Sequence, residues 1–344
     1  MINKDQKINK RIFDKDCEQV PIRTGFGQGL LLAGEENEKV VGLCTDLTES
    51  TQMHLFRNKF PKRFIQMGIA EQNLASVASG LAAMGKIPFM TSYAMFSPGR
   101  NWEQIRTTIC YNNVPVKIAG SHAGVSVGPD GGTHQAIEDI ALTRVIPRMV
   151  VISPCDAIEA RKATLEASRT KEPTYIRLAR EKTPVITSEE TPFEIGKAQV
   201  FFDSISRSDL DKEYQGLTLM KSGVTIIATG ALVHKALVVA EEFRHKDVGV
   251  IVINLSTIKP LDEKTILENV KKTGRVVTVE EHQIAGGMGS AVSEFLAKTF
   301  PVPIEFVGVK DEFGQSGKPE ELIKYYGMDE VAIKSAVQRV LVRD

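Results

Sequence analysis

Five residues have the types and spacing to do chemistry together: Glu71, His122, Asp130, His134 and Arg180. Glu71 stands in the run Met67-Gly68-Ile69-Ala70-Glu71-Gln72-Asn73, and Leu74, Ala75, Val77, Ala78, Gly80, Leu81 and Ala82 follow it. Such small and apolar residues predict a closely packed helix. A carboxylate buried there without a cation is expected to hold its proton more tightly than usual, which makes Glu71 a candidate proton-handling group. Taken alone, it reads more readily as a solvated glutamate in a helix's first turn, favoured by the dipole.

The Gly-rich stretch 121–135 changes that balance, because it holds His122, Asp130 and His134 in one loop. Near neutral pH a histidine serves as acid, base or phosphate partner. Asp130, flanked by Gly131 and Gly132, is expected to approach a substrate hydroxyl closely. Arg180 can grip a phosphate bidentately and Arg23 is a second candidate, although either taken singly is more often a surface ion pair.

These groups matter only if the fold carries them to one place. A helix reads over 24–33, a buried strand over 39–44, the helix after Glu71, and further strands over 87–91, 114–120, 149–153 and 174–178. Asp156 is placed to cap a helix running to residue 167. This alternation predicts an α/β domain with a mostly parallel sheet, whose strand ends converge at one edge. Asp46, Thr48, Ser50 and Thr51 follow the 39–44 strand and read equally as a site rim or a plain polar loop.

Residues 1–20 read as a polar, poorly ordered or partner-draped leader, and 21–193 as the first domain. Residues 194–222 lack a clear period and read as a linker with an insertion. Residues 223–344 form a second, smaller α/β series. Its one suggestive polar cluster, Glu280-Glu281-His282, reads as sheet-edge structure rather than catalysis.

With 43 Lys and Arg against 43 Asp and Glu, the charge balance gives no reason to expect a nucleic-acid or membrane-surface partner. The four cysteines (Cys17, Cys44, Cys110, Cys155) are scattered, so neither a zinc site nor a disulfide framework is indicated, and reduced thiols in a cytoplasmic protein are expected. No apolar run has membrane-spanning length.

The stretches GIAEQN (68–73), TSYAMF (91–96), SHAGVSVGPDGGTHQAIED (121–139), ISPCDAIEA (152–160) and IRLAR (176–180) resemble the C-terminal half of transketolase and the related deoxyxylulose-phosphate synthases. The resemblance implies a pyrimidine-binding domain followed by a transketolase C-terminal domain, with thiamine diphosphate as cofactor. It implies that Glu71 bonds the cofactor's pyrimidine ring nitrogen, that Phe96 and Tyr93 hold the ring by stacking, and that Asp46 lies near the thiazolium. A third family aromatic is replaced by Ser97-Pro98-Gly99. By the same resemblance His134 and Asp130 contact the donor sugar, while His122, Arg180, Arg23 and Ser50 form the sugar-phosphate site. The implied reaction moves a two-carbon glycolaldehyde unit from a ketose phosphate to an aldose phosphate.

One departure stands out. Holding a metal-bound diphosphate takes a Gly-Asp-Gly motif with an Asn roughly thirty residues on, since a hard cation wants oxygen ligands beside the phosphates. Here the nearest string is Pro129-Asp130-Gly131, within the sugar loop, and no metal ligand is assigned. The expectation is therefore one subunit of a split transketolase. A separate N-terminal subunit would carry the diphosphate-binding domain and its Mg2+ or Ca2+, around a homodimer core in an α2β2 complex. Three alternatives stay open: a beta-type subunit of a 2-oxo-acid dehydrogenase, a deoxyxylulose-phosphate synthase fragment, and a non-catalytic scaffold relative.

Overall fold

Val40–Cys44 is a run of apolar and small residues without alternation, the pattern of a strand covered on both faces, and all five residues are buried. The computed structural model describes residues 1–205, 223–244 and 248–343. The first half comprises β1 (Gln19–Pro21), α1 (Ile22–Glu36), β2 (Val40–Cys44), α2 (His54–Lys59), β3 (Phe64–Gln66), α3 (Glu71–Ala83) and β4 (Ile87–Tyr93). Then come α4 (Trp102–Gln104), running on into a π-helical stretch, β5 (Lys117–Ser121), α5 (Asp139–Arg144), β6 (Val150–Ile152), α6 (Ala157–Arg169), β7 (Thr174–Leu178) and β8 (Lys182–Pro184). Asp156 does cap α6, its carboxylate accepting the Glu159 N–H.

The second half comprises β9 (Gln199–Asp203), β10 (Gly223–Ala228), α7 (Val233–Phe243), β11 (Gly249–Asn254), β12 (Thr257–Lys259) and α8 (Glu263–Thr273). It ends with β13 (Val276–Gln283), α9 (Met288–Thr299), β14 (Ile304–Val309), α10 (Pro319–Tyr325) and α11 (Glu330–Leu341). Two consecutive α/β domains result. The first sheet has the order β12-β6-β7-β5-β4-β2-β3 and the second β14-β13-β10-β11-β9; each is parallel apart from one edge strand, β12 or β9.

Two expectations about the chain's layout need correction, and one strand pairing crosses between the halves. Residues 1–20 are not a free polar leader: Ile8 and Ile12 are buried in the second domain's core, and Ile2 bridges to Phe202. Asn3 and Asn9 add hydrogen bonds to the Val200 and Val185 carbonyls. Within 194–222, residues 199–203 are the edge strand β9 rather than linker, while the charged insertion beyond residue 205 lies outside the described residues. Finally, β12 leaves its own half to pair with β6 of the first sheet.

The domains are joined through buried charge. The Arg177 guanidinium on β7 donates to Asp139 Oδ2 at 2.9 Å and to the Glu281 carbonyl at 2.7 Å, and the Tyr175 hydroxyl shares the same Asp139 oxygen at 2.7 Å. The Glu281 carboxylate accepts the Ser126 N–H at 2.6 Å, and Gly124 lies so close that a Cβ there would sit 2.3 Å from it. Glu280 accepts two N–H groups at the start of α9, and His282 Nε2 takes the Ala141 N–H. Glu280-Glu281-His282 is thus structural, as expected, but it lies on a strand flanked on both sides, with its side chains partnered. Because Asp139 and Arg177 are both almost fully buried, removing one strands the other. Asp139→Ala is expected to lower stability against urea by about 3–5 kcal/mol, and a shift under 1 kcal/mol would show the pair to be dispensable.

Candidate active site

All the parallel strands of the first sheet end on one edge, and the candidate residues gather there. Tyr93 closes β4, His122 follows β5, Arg180 lies just past β7, Asp46 just past β2, and Glu71 opens α3 after β3. Tyr93 stacks on His122 with ring centroids 3.8 Å apart and on Phe96 at 6.2 Å. His134 meets Phe96 edge-on at 5.3 Å and Tyr93 at 6.4 Å. Residues separated by up to 41 positions thereby form one aromatic wall, with spacings in the range of real ring contacts.

Beside the wall lie two arginines, Arg23 and Arg180, the second flanked by the Asp130 and Glu181 carboxylates. Arg180 Nη1 donates to the Val127 carbonyl at 2.5 Å and lies 3.6 Å from Asp130 Oδ1. Arg23 Nη1 donates to the Ser50 carbonyl at 2.6 Å, while its Nε is buried with no partner among the described residues. Burial, then the charge of Arg180, pulls the Arg23 pKa down from its ordinary value. His122 feels the same field. Burial first, then Arg23, Arg180 and His134, hold its pKa down to about 3, so the ring is neutral at neutral pH.

Glu71 is 3% exposed, and both its oxygens are engaged: Oε1 accepts the Ser92 hydroxyl at 3.0 Å and Oε2 accepts Arg100 Nη1 at 2.9 Å. The expectation of a carboxylate without a cation is overturned, because Arg100 reaches back from the far end of the aromatic loop. Its guanidinium carbon also lies 4.1 Å from the Phe96 ring centroid. Asn101, fully buried, donates to the Glu71 carbonyl at 3.0 Å and to Ser97 Oγ at 3.1 Å, tying that loop to the start of α3.

Some expected residues are arranged differently from the sequence reading. Ser50 offers its main-chain carbonyl to Arg23. Asp130 is ion-paired with Arg180 rather than standing free, and the glycines beside it serve the second domain: a Cβ at Gly132 would lie 2.4 Å from the Gly314 carbonyl oxygen. Asp46 is exposed, in a left-handed conformation, its N–H donating to Gln66 Oε1; among the described residues no side-chain contact joins it to the wall. Sequence reasoning missed Ser92, Arg100 and Asn101. The available signal was that a buried carboxylate demands donors, and the loop after Tyr93 carries an Arg-Asn pair.

With this geometry in place, comparison with known proteins is informative. Residues 18–185 match the transketolase pyrimidine-binding domain and 219–333 the transketolase C-terminal domain. A putative transketolase C-terminal section from Methanocaldococcus jannaschii is 39% identical over 94% of this chain and 97% of its own length. The 6-deoxy-6-sulfo-D-fructose transketolase subunit SqwH of a Clostridium species is 36% identical over 96% and 98%. Human transketolase is 34% identical over 95% of this chain but 50% of its own length. A solved structure described as a split gene transketolase, inactive beta4 tetramer, superposes with a TM-score of 0.82 at 39% identity, covering 94% of this chain and 98% of that one. The chain therefore belongs to the transketolase family, comprising its pyrimidine-binding and C-terminal domains and matching nearly end to end the family's separate C-terminal sections.

Proposed function

We propose that the chain is the C-terminal subunit of a split transketolase, completing a thiamine diphosphate site at the interface with a separate diphosphate-binding subunit. The complex moves a two-carbon glycolaldehyde unit from a ketose phosphate to an aldose phosphate. The observation that carries this reading is the adjacency of two half-sites: a flat aromatic corner ending in a buried carboxylate, and a paired-arginine cluster with an orphaned buried Nε.

The first half-site fits a heteroaromatic ring. Phe96 and Tyr93 are partly exposed, the Phe96 face that Arg100 covers is the one a ring would stack on, and Glu71 can hold a proton at a ring nitrogen within a shielded corner. A metal-bound diphosphate does not fit this half-site: among the described residues no group of three or more His, Cys, Asp or Glu is placed to hold a metal. The Mg2+ or Ca2+ and the diphosphate are assigned to the partner subunit. When bound, the cofactor supplies the electron sink for carbon–carbon cleavage.

The second half-site fits an oxyanion. Arg23 and Arg180 are like charges held close, which an anion between them would relieve, and His122 beside them is a neutral hydrogen-bonding group. We assign the sugar phosphate to Arg23, Arg180, His122 and the Ser50 turn, the donor's carbonyl and hydroxyl groups to His134 and Asp130, and the thiazolium side to Asp46. Two arginines suit a dianionic phosphate better than the single carboxylate of an unphosphorylated 2-oxo acid. A sulfonate is the second reading, because one relative's name states a 6-deoxy-6-sulfo sugar.

Mixing the chain with a diphosphate-binding subunit, thiamine diphosphate and magnesium should give donor cleavage that neither protein gives alone; cleavage by this chain alone would refute the divided site. Offering phosphorylated and sulfonated ketoses side by side decides the anion. Glu71→Gln should lower turnover of the complex by on the order of a hundredfold or more while assembly, read by gel filtration, is retained.

A pH experiment tests the oxyanion site directly. The free histidine value of 6.5 is lowered to about 3 in the fold. The unfolded chain thus takes up this proton on acidification before the folded one does, and His122's contribution to stability is lost as pH falls through that window. The His122 ring signals in NMR should not titrate between about pH 8 and 5. Saturating inorganic phosphate, by offsetting the arginine charges, should raise the titration point, as should Arg180→Met. Because burial is the larger cause, the response separates the two: a titration point moved by neither phosphate nor Arg180→Met would mean that the arginine charges do not act on it.

A further inference from the structure

Arg100 is the residue of the Glu71 corner to which the proposed function gives no task, and its position is specific. Its guanidinium lies over the Phe96 face, 4.1 Å from the ring centroid, and donates to Glu71 Oε2 at 2.9 Å. Those are the two contacts that the proposed function gives to the cofactor's aminopyrimidine: one aromatic face and one bond to the carboxylate. A guanidinium is a planar N–C–N unit with N–H donors along its edge, which resembles the amidine edge of an aminopyrimidine. Both cannot occupy one place.

We propose that Arg100 is a placeholder for the aminopyrimidine ring, filling its position in the chain without cofactor and swinging out as the ring arrives. The inference rests on the reading of Glu71 and Phe96 as the pyrimidine holders. The physical logic is that Glu71, 3% exposed, would be left with an uncompensated oxygen if nothing stood there. Ser92 is fully buried and commits Oε1 permanently. The Arg100 side chain, in contrast, is 49% exposed, so its charged head can return to water at small cost. Its backbone cannot follow, because the adjacent Asn101 is tied to Glu71 and Ser97. The displacement is therefore confined to one side chain, and Arg100 becomes a determinant of how readily the subunit accepts its cofactor.

A site whose competent form is populated a tenth of the time shows roughly a tenfold weaker apparent affinity. The test is the equilibrium dissociation constant of thiamine diphosphate for the two-chain complex with magnesium, by titration calorimetry, for the wild type, Arg100→Ala, Arg100→Gln and Phe96→Ala. Both Arg100 variants should bind the cofactor more tightly, by on the order of tenfold. Phe96→Ala should bind it more weakly. If Phe96→Ala weakens binding and the Arg100 variants leave it unchanged or weaken it too, the placeholder is overturned while the pyrimidine reading stands. If Phe96→Ala has no effect, the pyrimidine reading falls and the placeholder with it.

Discussion

A carboxylate taken out of water has to be met by donors, and that requirement organises this protein at several depths. Asp156 accepts the Glu159, Ile186 and Thr187 N–H groups and so fixes α6 against the segment that follows β8. Glu159, one turn further on, accepts Asn254 from the end of β11. Asp139 takes Tyr175 and Arg177, and Glu281 takes Ser126. Burial pushes the Glu159 and Glu280 pKa values up to about 7, against the donors that hold each side chain. Each carboxylate links segments that local structure alone would leave unconnected. Between them they lock the Gly-rich loop against the second domain.

Glu71 obeys the same rule with a different outcome. At the structural positions the donors are backbone N–H groups or buried side chains, with nowhere else to go. At Glu71 one donor is the buried Ser92 and the other is a half-exposed arginine. A carboxylate whose second partner is removable is suited to working chemistry, because the acid can exchange that partner for another without the fold being disturbed.

Much of this was legible from sequence where the signal was local. The Asp156 cap, the buried run at β2, the strand Thr174–Leu178 and the α/β alternation are short-range patterns, and the structure follows them closely. The gathering of Tyr93, His122 and His134 followed from strand ends sharing an edge. What periodicity could not give was the identity of partners distant in the chain. Ser126 and Glu281 are 155 residues apart, and Arg100 and Glu71 are 29 apart on different elements. Gly131 and Gly132 illustrate the point: their lack of side chains reads as closeness to substrate, yet what they admit is the Ser316 hydroxyl and the Gly314 carbonyl.

The two half-sites differ in how their polar groups are partnered within the chain. On the arginine side, Arg23 has a buried Nε with no partner among the described residues, and His122 is kept neutral by burial first and then by the charges of Arg23 and Arg180. Arg180 is flanked by the Asp130 and Glu181 carboxylates, so an anion would compete with them for it, whereas the Arg23 Nε has no competing acceptor among the described residues. The aromatic side is satisfied from within, because Arg100 supplies both the stacked face and the donor that its corner requires. A cationic pocket with a vacant donor attracts small anions unaided, whereas a filled corner admits a ring only by exchange. On the proposed reading, the anion side keeps one arginine donor open, while the aromatic corner is covered by one of the chain's own side chains.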